Sequence, residues 1–125
     1  MTIKRDIESR ADLEKLFTDF YAIAMTDAKI GYFFTRVAQL DLQTHLPVIV
    51  NFWEKVLFGK PIYFGNPLFV HQQLHEKSPV MKEHFERWLE IFNETIDRLF
   101  AGETANKAKE KAVVIAKGLL SRLAD

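Results

Sequence analysis

The chain has 125 residues, of which 48% are hydrophobic, and its 17 basic and 17 acidic side chains give zero formal net charge. The balanced charge argues against a nucleic-acid binder or a polybasic membrane anchor, and the absence of cysteine excludes disulfides and thiolate chemistry. We expect one soluble domain over residues 1–125, in the cytoplasm and without a membrane span, because no apolar run is long enough to cross a bilayer.

Apolar residues recur at helical spacing along most of the chain. The first helix is predicted to begin at Ser9 or Ala11 and to be broken over residues 27–31. The aromatic residues 32–34 predict a turn or a short 3₁₀ segment. A second helix is predicted over residues 44–58, because a glycine follows as a stop signal.

Residues 59–66 predict a loop rich in glycine, proline and aromatic side chains. Asn66 is a good N-cap and Pro67 suits the first position of a helix. The remaining helices are predicted to run over about 68–74, from Ser78-Pro79 to a stop at Gly102, and from a cap at Thr104 towards the C-terminus. The predicted class is therefore all-α.

Aromatic residues are frequent, with eleven phenylalanines, three tyrosines and two tryptophans. One interpretation is a small core filled with large side chains. The other is a flat apolar ligand held between aromatic walls. The residues by themselves leave both interpretations open.

Two of the four histidines, His71 and His75, lie four residues apart and would share a helix face. A zinc site is not favoured, because glutamines stand between them where a glutamate base is needed and a third ligand is missing from the segment. His71 lies within the apolar stripe of Leu68 and Leu74, whereas His75 lies at the helix end. His71 is therefore either a core histidine with a hydrogen bond or the axial ligand of a haem iron.

Three further polar side chains lie on inner helix faces: Tyr21, His45 and Trp88. Each is usually a core residue with a hydrogen bond, but three together suggest one polar patch.

At these residues the chain resembles the truncated haemoglobins, specifically those of the third group. The resemblance covers four blocks in the family's order and spacing, FYAIAMTDAKIGYFF, HLPVIVNFWEKVLFG, YFGNPLFVHQQL and HFERWLEIFNETIDRLFAG. It implies a shortened globin fold, a two-on-two helical sandwich around haem b, which is iron protoporphyrin IX.

The resemblance also implies a role for each matching residue. His71 matches the proximal iron ligand, and Tyr21, His45 and Trp88 match the distal residues that stabilise the ligand. His75 and His84 match no functional position. The implied haem pocket comprises Phe34, Ile49, Phe52, Trp53, Tyr63 and His71. The partners of the haem propionates stay open among Arg36, Lys55, Lys60, Tyr63 and Arg87.

The function implied by the resemblance is O₂ binding, with NO and CO as further ligands, at a five-coordinate iron with a polar distal pocket. NO dioxygenation or peroxide chemistry would in addition need a reductase. The alternative is a haem-free helical interaction module whose aromatic side chains only fill the core. The absorption spectrum of the purified protein distinguishes the two.

Overall fold

The computed structural model describes residues 3–61, 63 and 65–123. Its elements are α1 (Arg10–Ala24), the π-helix π1 (Phe33–Val37), α2 (Leu42–Phe58), α3 (Pro67–Lys77), α4 (Lys82–Leu99) and α5 (Glu103–Leu123). These described ranges contain no strand, which confirms the predicted all-α class. Within them, every helix is too short or too polar to span a bilayer.

The four longest helices form two contacting pairs, α1 with α2 and α4 with α5. Helix α1 packs on α2 and on α4, and α5 packs on α4, α2 and α3. This arrangement is the expected two-on-two sandwich. Its centre is aromatic: the ring of Phe17 lies 5.8 Å from that of Phe92 and 6.0 Å from that of Trp53. Part of the aromatic content therefore fills the core, as the first interpretation predicts.

Helices α2 and α4 start at other residues than predicted, because side-chain hydrogen bonds cap them there. Helix α2 begins before residue 44, since the Asp41 carboxylate accepts from the backbone N–H of Gln43 at 3.2 Å. Helix α4 begins after the Ser78-Pro79 signal, since Nδ1 of His84 accepts from the backbone N–H of Met81 at 2.9 Å. The end of α2 at Gly59, whose φ is 69°, is as predicted.

Two more segments differ from the prediction, the aromatic segment after α1 in its helix type and α3 in its length. The aromatic stretch after α1 is a π-helix, in which the N–H of Ala38 donates to the carbonyl oxygen of Phe33 at 2.8 Å. Helix α3 continues three residues beyond Leu74 to Lys77, since the N–H of Ser78 donates to the carbonyl oxygen of Leu74 at 2.9 Å.

The N-terminal clasp, residues 4–6, joins the chain start to the junction of α4 and α5. The Asp6 carboxylate accepts from the backbone N–H groups of Thr104 and Ala105, each at 2.8 Å. Asp6 therefore caps α5, rather than the predicted Thr104. A Cβ atom on Gly102, whose φ is 147°, would lie 2.5 Å from Cγ of Asp6, so this position requires glycine.

The pKa of Asp6 is lowered in the fold. Burial alone would raise it, but the backbone N–H donors of Thr104, Ala105 and Ile7 together outweigh burial. Because the folded-state pKa is lowered, the clasp contributes stability above the usual aspartate pKa. That contribution is lost as the pH falls through the lowered folded-state pKa.

We expect Asp6→Ala to lower the free energy of unfolding by about 0.5–2 kcal/mol at neutral pH, as for other lost helix caps. The difference from wild type should shrink to nothing in acid, where Asp6 is protonated in both states. Urea unfolding at several pH values measures both effects. Glu14→Ala, at an exposed acidic residue of α1, is the control. Equal losses in the two variants would contradict the capping role.

Candidate functional site

Helix α2 carries two adjacent apolar stripes that differ in burial. One stripe, which includes Val50 and Trp53, is buried in the core. The other, which includes His45, Ile49 and Phe52, is only half-buried. The first half of α4 likewise exposes part of Phe85, Trp88 and Leu89. Large apolar side chains left half-covered on two helices are typical of the walls of a ligand cleft.

Tyr21 is the centre of a polar cluster on one side of this region. It is 4% exposed, and its hydroxyl shares a hydrogen bond with Nε2 of His45 at 2.9 Å. The ring of Phe34 meets that of Tyr21 edge-on at 5.7 Å between centroids. The structure therefore brings together three of the predicted site residues, one each from α1, π1 and α2.

Burial sets the protonation of both partners in the hydrogen bond. It raises the pKa of the Tyr21 hydroxyl and lowers the pKa of the His45 imidazole, so both groups are neutral near pH 7. The tautomer of His45 then decides which group donates. If Nε2 carries the proton, the Tyr21 oxygen accepts and its own proton is available to a third group.

Trp88 reaches this cluster through one intervening ring. Its indole lies 5.1 Å from the ring of Phe20, which in turn lies 5.1 Å from that of Tyr21, and it stacks on Phe92 at 4.8 Å. Within the described part of the chain, its N–H has no hydrogen-bond partner. Trp88 is therefore a donor that those described residues leave without a hydrogen bond.

His71 is presented by α3, which begins with the Asn66 cap and Pro67 as the sequence predicts. The Nδ1–H of His71 donates to the carbonyl oxygen of Pro67 at 2.7 Å. Burial lowers the pKa of His71 and outweighs this hydrogen bond, which would raise it. The neutral ring therefore presents Nε2 with its lone pair, the form in which histidine binds a metal. Its ring lies 6.3 Å from that of Phe85.

The other two histidines have structural partners. Nδ1 of His75 accepts from the backbone N–H of Val80 at 2.9 Å and ties the end of α3 to the following turn. His84 caps α4 through Met81. Among the residues that the structure describes, no three histidine, aspartate or glutamate side chains gather where they could hold a metal ion. These contacts account for both histidines without a ligand role.

A second aromatic group contains three further predicted pocket residues, Phe52, Trp53 and Tyr63. The ring of Phe52 lies 5.2 Å from that of Tyr63 and 5.8 Å from that of Trp53. Trp53 is only 2% exposed and also packs on Phe92 at 5.1 Å. It therefore lies in the core behind the half-buried stripe of α2, and the structure does not place it in ring contact with Tyr21 or His45 in the described residues.

The basic residues that are candidate partners of the haem propionates differ in the ion pairs that they form within the protein. The guanidinium of Arg87 pairs with Asp27 at 2.9 Å and with Glu90 at 3.2 Å. Lys60 lies 3.7 Å from the carboxylate of the buried Glu54. Arg36 and Lys55 are exposed, and neither forms an ion pair with the part of the chain that the structure describes.

The site prediction from the sequence missed two side chains that lie at the site. Phe20 bridges Tyr21 and Trp88, and Phe85 stacks near His71. Phe85 could have been found, because it lies three residues before Trp88 on the same helix face. Phe20 looks like any other core residue in the sequence, and only the packing of α1 on α4 shows its position.

Comparison with known proteins agrees with this architecture. The family model of the bacterial-like globins matches residues 5–119. The group 3 truncated haemoglobin of Campylobacter jejuni is 29% identical over 117 residues, which cover 91% of this chain and 90% of that protein. The crystal structure of a group III truncated haemoglobin from Campylobacter jejuni matches with a TM-score of 0.85 at 29% identity, over 97% of this chain and 95% of that one. The chain thus belongs to the bacterial-like globin family, and its all-α fold is that of a truncated globin.

Proposed function

We propose that this chain holds haem b through His71 and binds O₂ at a polar distal site made by Tyr21, His45 and Trp88. Membership of the globin family implies haem and a gaseous ligand in general. The observation that carries the finer proposal is the imidazole of His71. Its Nδ1–H is fixed by the carbonyl oxygen of Pro67, so that Nε2 is the nitrogen presented to an iron.

The residues present fit a porphyrin. A flat apolar ring needs apolar walls, and the half-buried side chains of Phe34, Ile49, Phe52 and Phe85 provide them. His71 would offer the nitrogen donor to its iron. When bound, the haem would supply an iron that binds a diatomic ligand. Arg36 and Lys55, which have no ion pair in the described residues, are our candidates for the propionates.

The distal residues would act on the ligand through hydrogen bonds. An O–H from Tyr21 and an N–H from Trp88 favour a ligand that takes up partial negative charge, as O₂ does, over neutral CO. His45 holds the Tyr21 hydroxyl at 2.9 Å and sets its direction. Two or three donors in a buried site favour slow release, so we propose ligand retention or oxygen chemistry rather than transport.

We extend the proposal to NO as a second ligand and to NO dioxygenation or peroxide reduction as reactions, each with an external reductase.

The family match over residues 5–119 supports one globin domain for the chain. The lack of cysteine agrees with a reducing cytoplasm as its location.

An absorption spectrum tests the proposed function. The purified chain, titrated with haemin and then reduced, should show a haem absorption band that saturates at one haem per chain and shifts on addition of CO. Failure to bind haem would support the haem-free interaction module instead. Denaturation with and without haem gives an independent measure of haem binding. Bound haem should raise the free energy of unfolding, because a ligand that binds only the folded state stabilises it.

We expect Trp88→Phe to speed O₂ release several-fold, because a lost hydrogen bond is worth about 1 kcal/mol. The variant keeps the stacking on Phe92, so stability should fall by only about 1–2 kcal/mol. Stopped-flow kinetics of O₂ release measure the first effect. Trp53→Phe, at the other tryptophan, is the matched control and should cost stability without changing O₂ release. An unchanged rate of O₂ release in Trp88→Phe would mean that Trp88 only packs in the core.

A further inference from the structure

Five aromatic side chains form an unbroken series from the distal site to the loop before α3. This aromatic file consists of Trp88, Phe92, Trp53, Phe52 and Tyr63. The ring centroids of successive members are 4.8, 5.1, 5.8 and 5.2 Å apart. Each spacing is within the range of direct aromatic contact, so the file has no gap.

The file differs in chemistry from one end to the other. Trp88, Trp53 and Tyr63 are side chains that lose one electron readily, and phenylalanine rings lie between them. The chain has no cysteine to compete for the same role. Trp53 is buried in the core, whereas Tyr63 is half-exposed in the loop between α2 and α3. Oxidised Tyr63 can therefore release its phenolic proton to water. Oxidised Trp53 could not release its indole proton in this way, because it is buried.

We propose that the aromatic file is a one-electron relay that carries oxidising equivalents from the haem pocket to Tyr63 at the surface. This inference rests on the proposed function, since haem and a peroxide provide the oxidant. Hydrogen peroxide takes up two electrons and two protons and becomes two molecules of water. The two electrons leave Tyr63 one at a time by way of Trp53 and Trp88. Tyr63 releases its phenolic proton to water each time and is reduced again before it gives up the second electron. A small one-electron donor such as ascorbate then returns an electron and a proton to the Tyr63 radical.

A packing role alone does not require this order of residues. Core rings stabilise through area and shape, and phenylalanine in place of either tryptophan would serve that purpose nearly as well. A relay instead requires oxidisable rings at intervals and an exposed, oxidisable end. Conservative substitutions separate the two, because Trp53→Phe and Tyr63→Phe keep a ring and remove only its ready oxidation.

The first experiment locates the radical. The haem-loaded full chain is treated with one equivalent of hydrogen peroxide and a nitroso spin trap, followed by electron paramagnetic resonance and peptide mapping by mass spectrometry. Wild type should carry the adduct on Tyr63, and both Trp53→Phe and Tyr63→Phe should lose it. Tyr32→Phe is the matched control, because the ring contacts of Tyr32 are with Phe33 at 4.3 Å and His84 at 6.3 Å, outside the file. An adduct that persists on Tyr63 in Trp53→Phe, or that forms only on Tyr21 or Tyr32, would overturn the relay.

The second experiment does not depend on haem chemistry. Azide radicals made by pulse radiolysis oxidise tryptophan, and the decay of the tryptophan radical into a tyrosine radical is followed by absorption. This transfer should be lost in Tyr63→Phe and kept in Tyr32→Phe. Transfer that is unchanged in Tyr63→Phe contradicts the relay. Transfer that depends on Tyr63 in a chain that takes up no haem would support the relay and overturn the proposed function, so the two failures are distinguishable.

Discussion

His71→Ala is expected to abolish haem binding near neutral pH, or to leave a haem with a non-native spectrum. Removing only an outer partner of a metal ligand commonly lowers metal affinity by about 10–100-fold, so loss of the ligand itself should cost at least as much. The side chain contributes little to the apolar core, because it is half-buried and its hydrogen bond lies within α3. Helix content by circular dichroism should therefore change little, while haemin titration reveals the loss.

His75→Ala is the matched control, one helical turn further along α3. Its Nδ1 accepts the N–H of Val80, so this variant should lose a little stability at the helix end and keep both haem affinity and spectrum. Added imidazole should restore the spectrum of His71→Ala, since the small molecule fits the space of the missing ring. A spectrum that changes in His75→Ala but not in His71→Ala would mean that the other histidine is the ligand.

The helices could be predicted from sequence where local signals decide them. Gly59 ends α2 and Asn66 with Pro67 opens α3 as expected, because each signal acts within one helical turn. The start of α5 could not be predicted in this way. Its cap is Asp6, which lies 98 residues before Thr104 in the chain, and only the tertiary fold brings the two together.

The site residues likewise include features that the sequence predicts and features that only the tertiary fold determines. The helix periodicity indicates that Tyr21 and His45 face inward, and the structure joins them by a hydrogen bond. Periodicity does not distinguish a pocket wall from the core behind it. Trp53 and Phe52 are adjacent in sequence, yet Trp53 packs on Phe92 in the core and Phe52 stays half-covered. That difference depends on how α2 is rotated against α1, which a single sequence leaves undetermined.

Tyr21→Phe should speed O₂ release by roughly tenfold to a hundredfold, with much less effect on CO. The basis is a hydrogen bond to a partly charged ligand, worth about 1.5–3 kcal/mol. The variant keeps the ring, which packs edge-on against Phe34 and Phe20, so the core should be little disturbed. The partner of the hydroxyl supports this expectation. It is the His45 ring at 2.9 Å rather than a backbone carbonyl, so the bond can be exchanged as the imidazole turns.

The same hydrogen bond also gives a reason why the single variant could mislead. Tyr21→Phe leaves Nε2 of His45 without its partner, and the freed imidazole N–H can then donate to the ligand in place of the hydroxyl. Groups that share a partner are not additive, so Tyr21→Phe should be measured together with Trp88→Phe, His45→Leu and the Tyr21→Phe/His45→Leu pair. If His45 compensates, the pair should release O₂ faster than the two single effects predict. Equal changes for O₂ and CO in every variant would show that these side chains do not act on ligand charge, and the proposal of a polar distal site would fail.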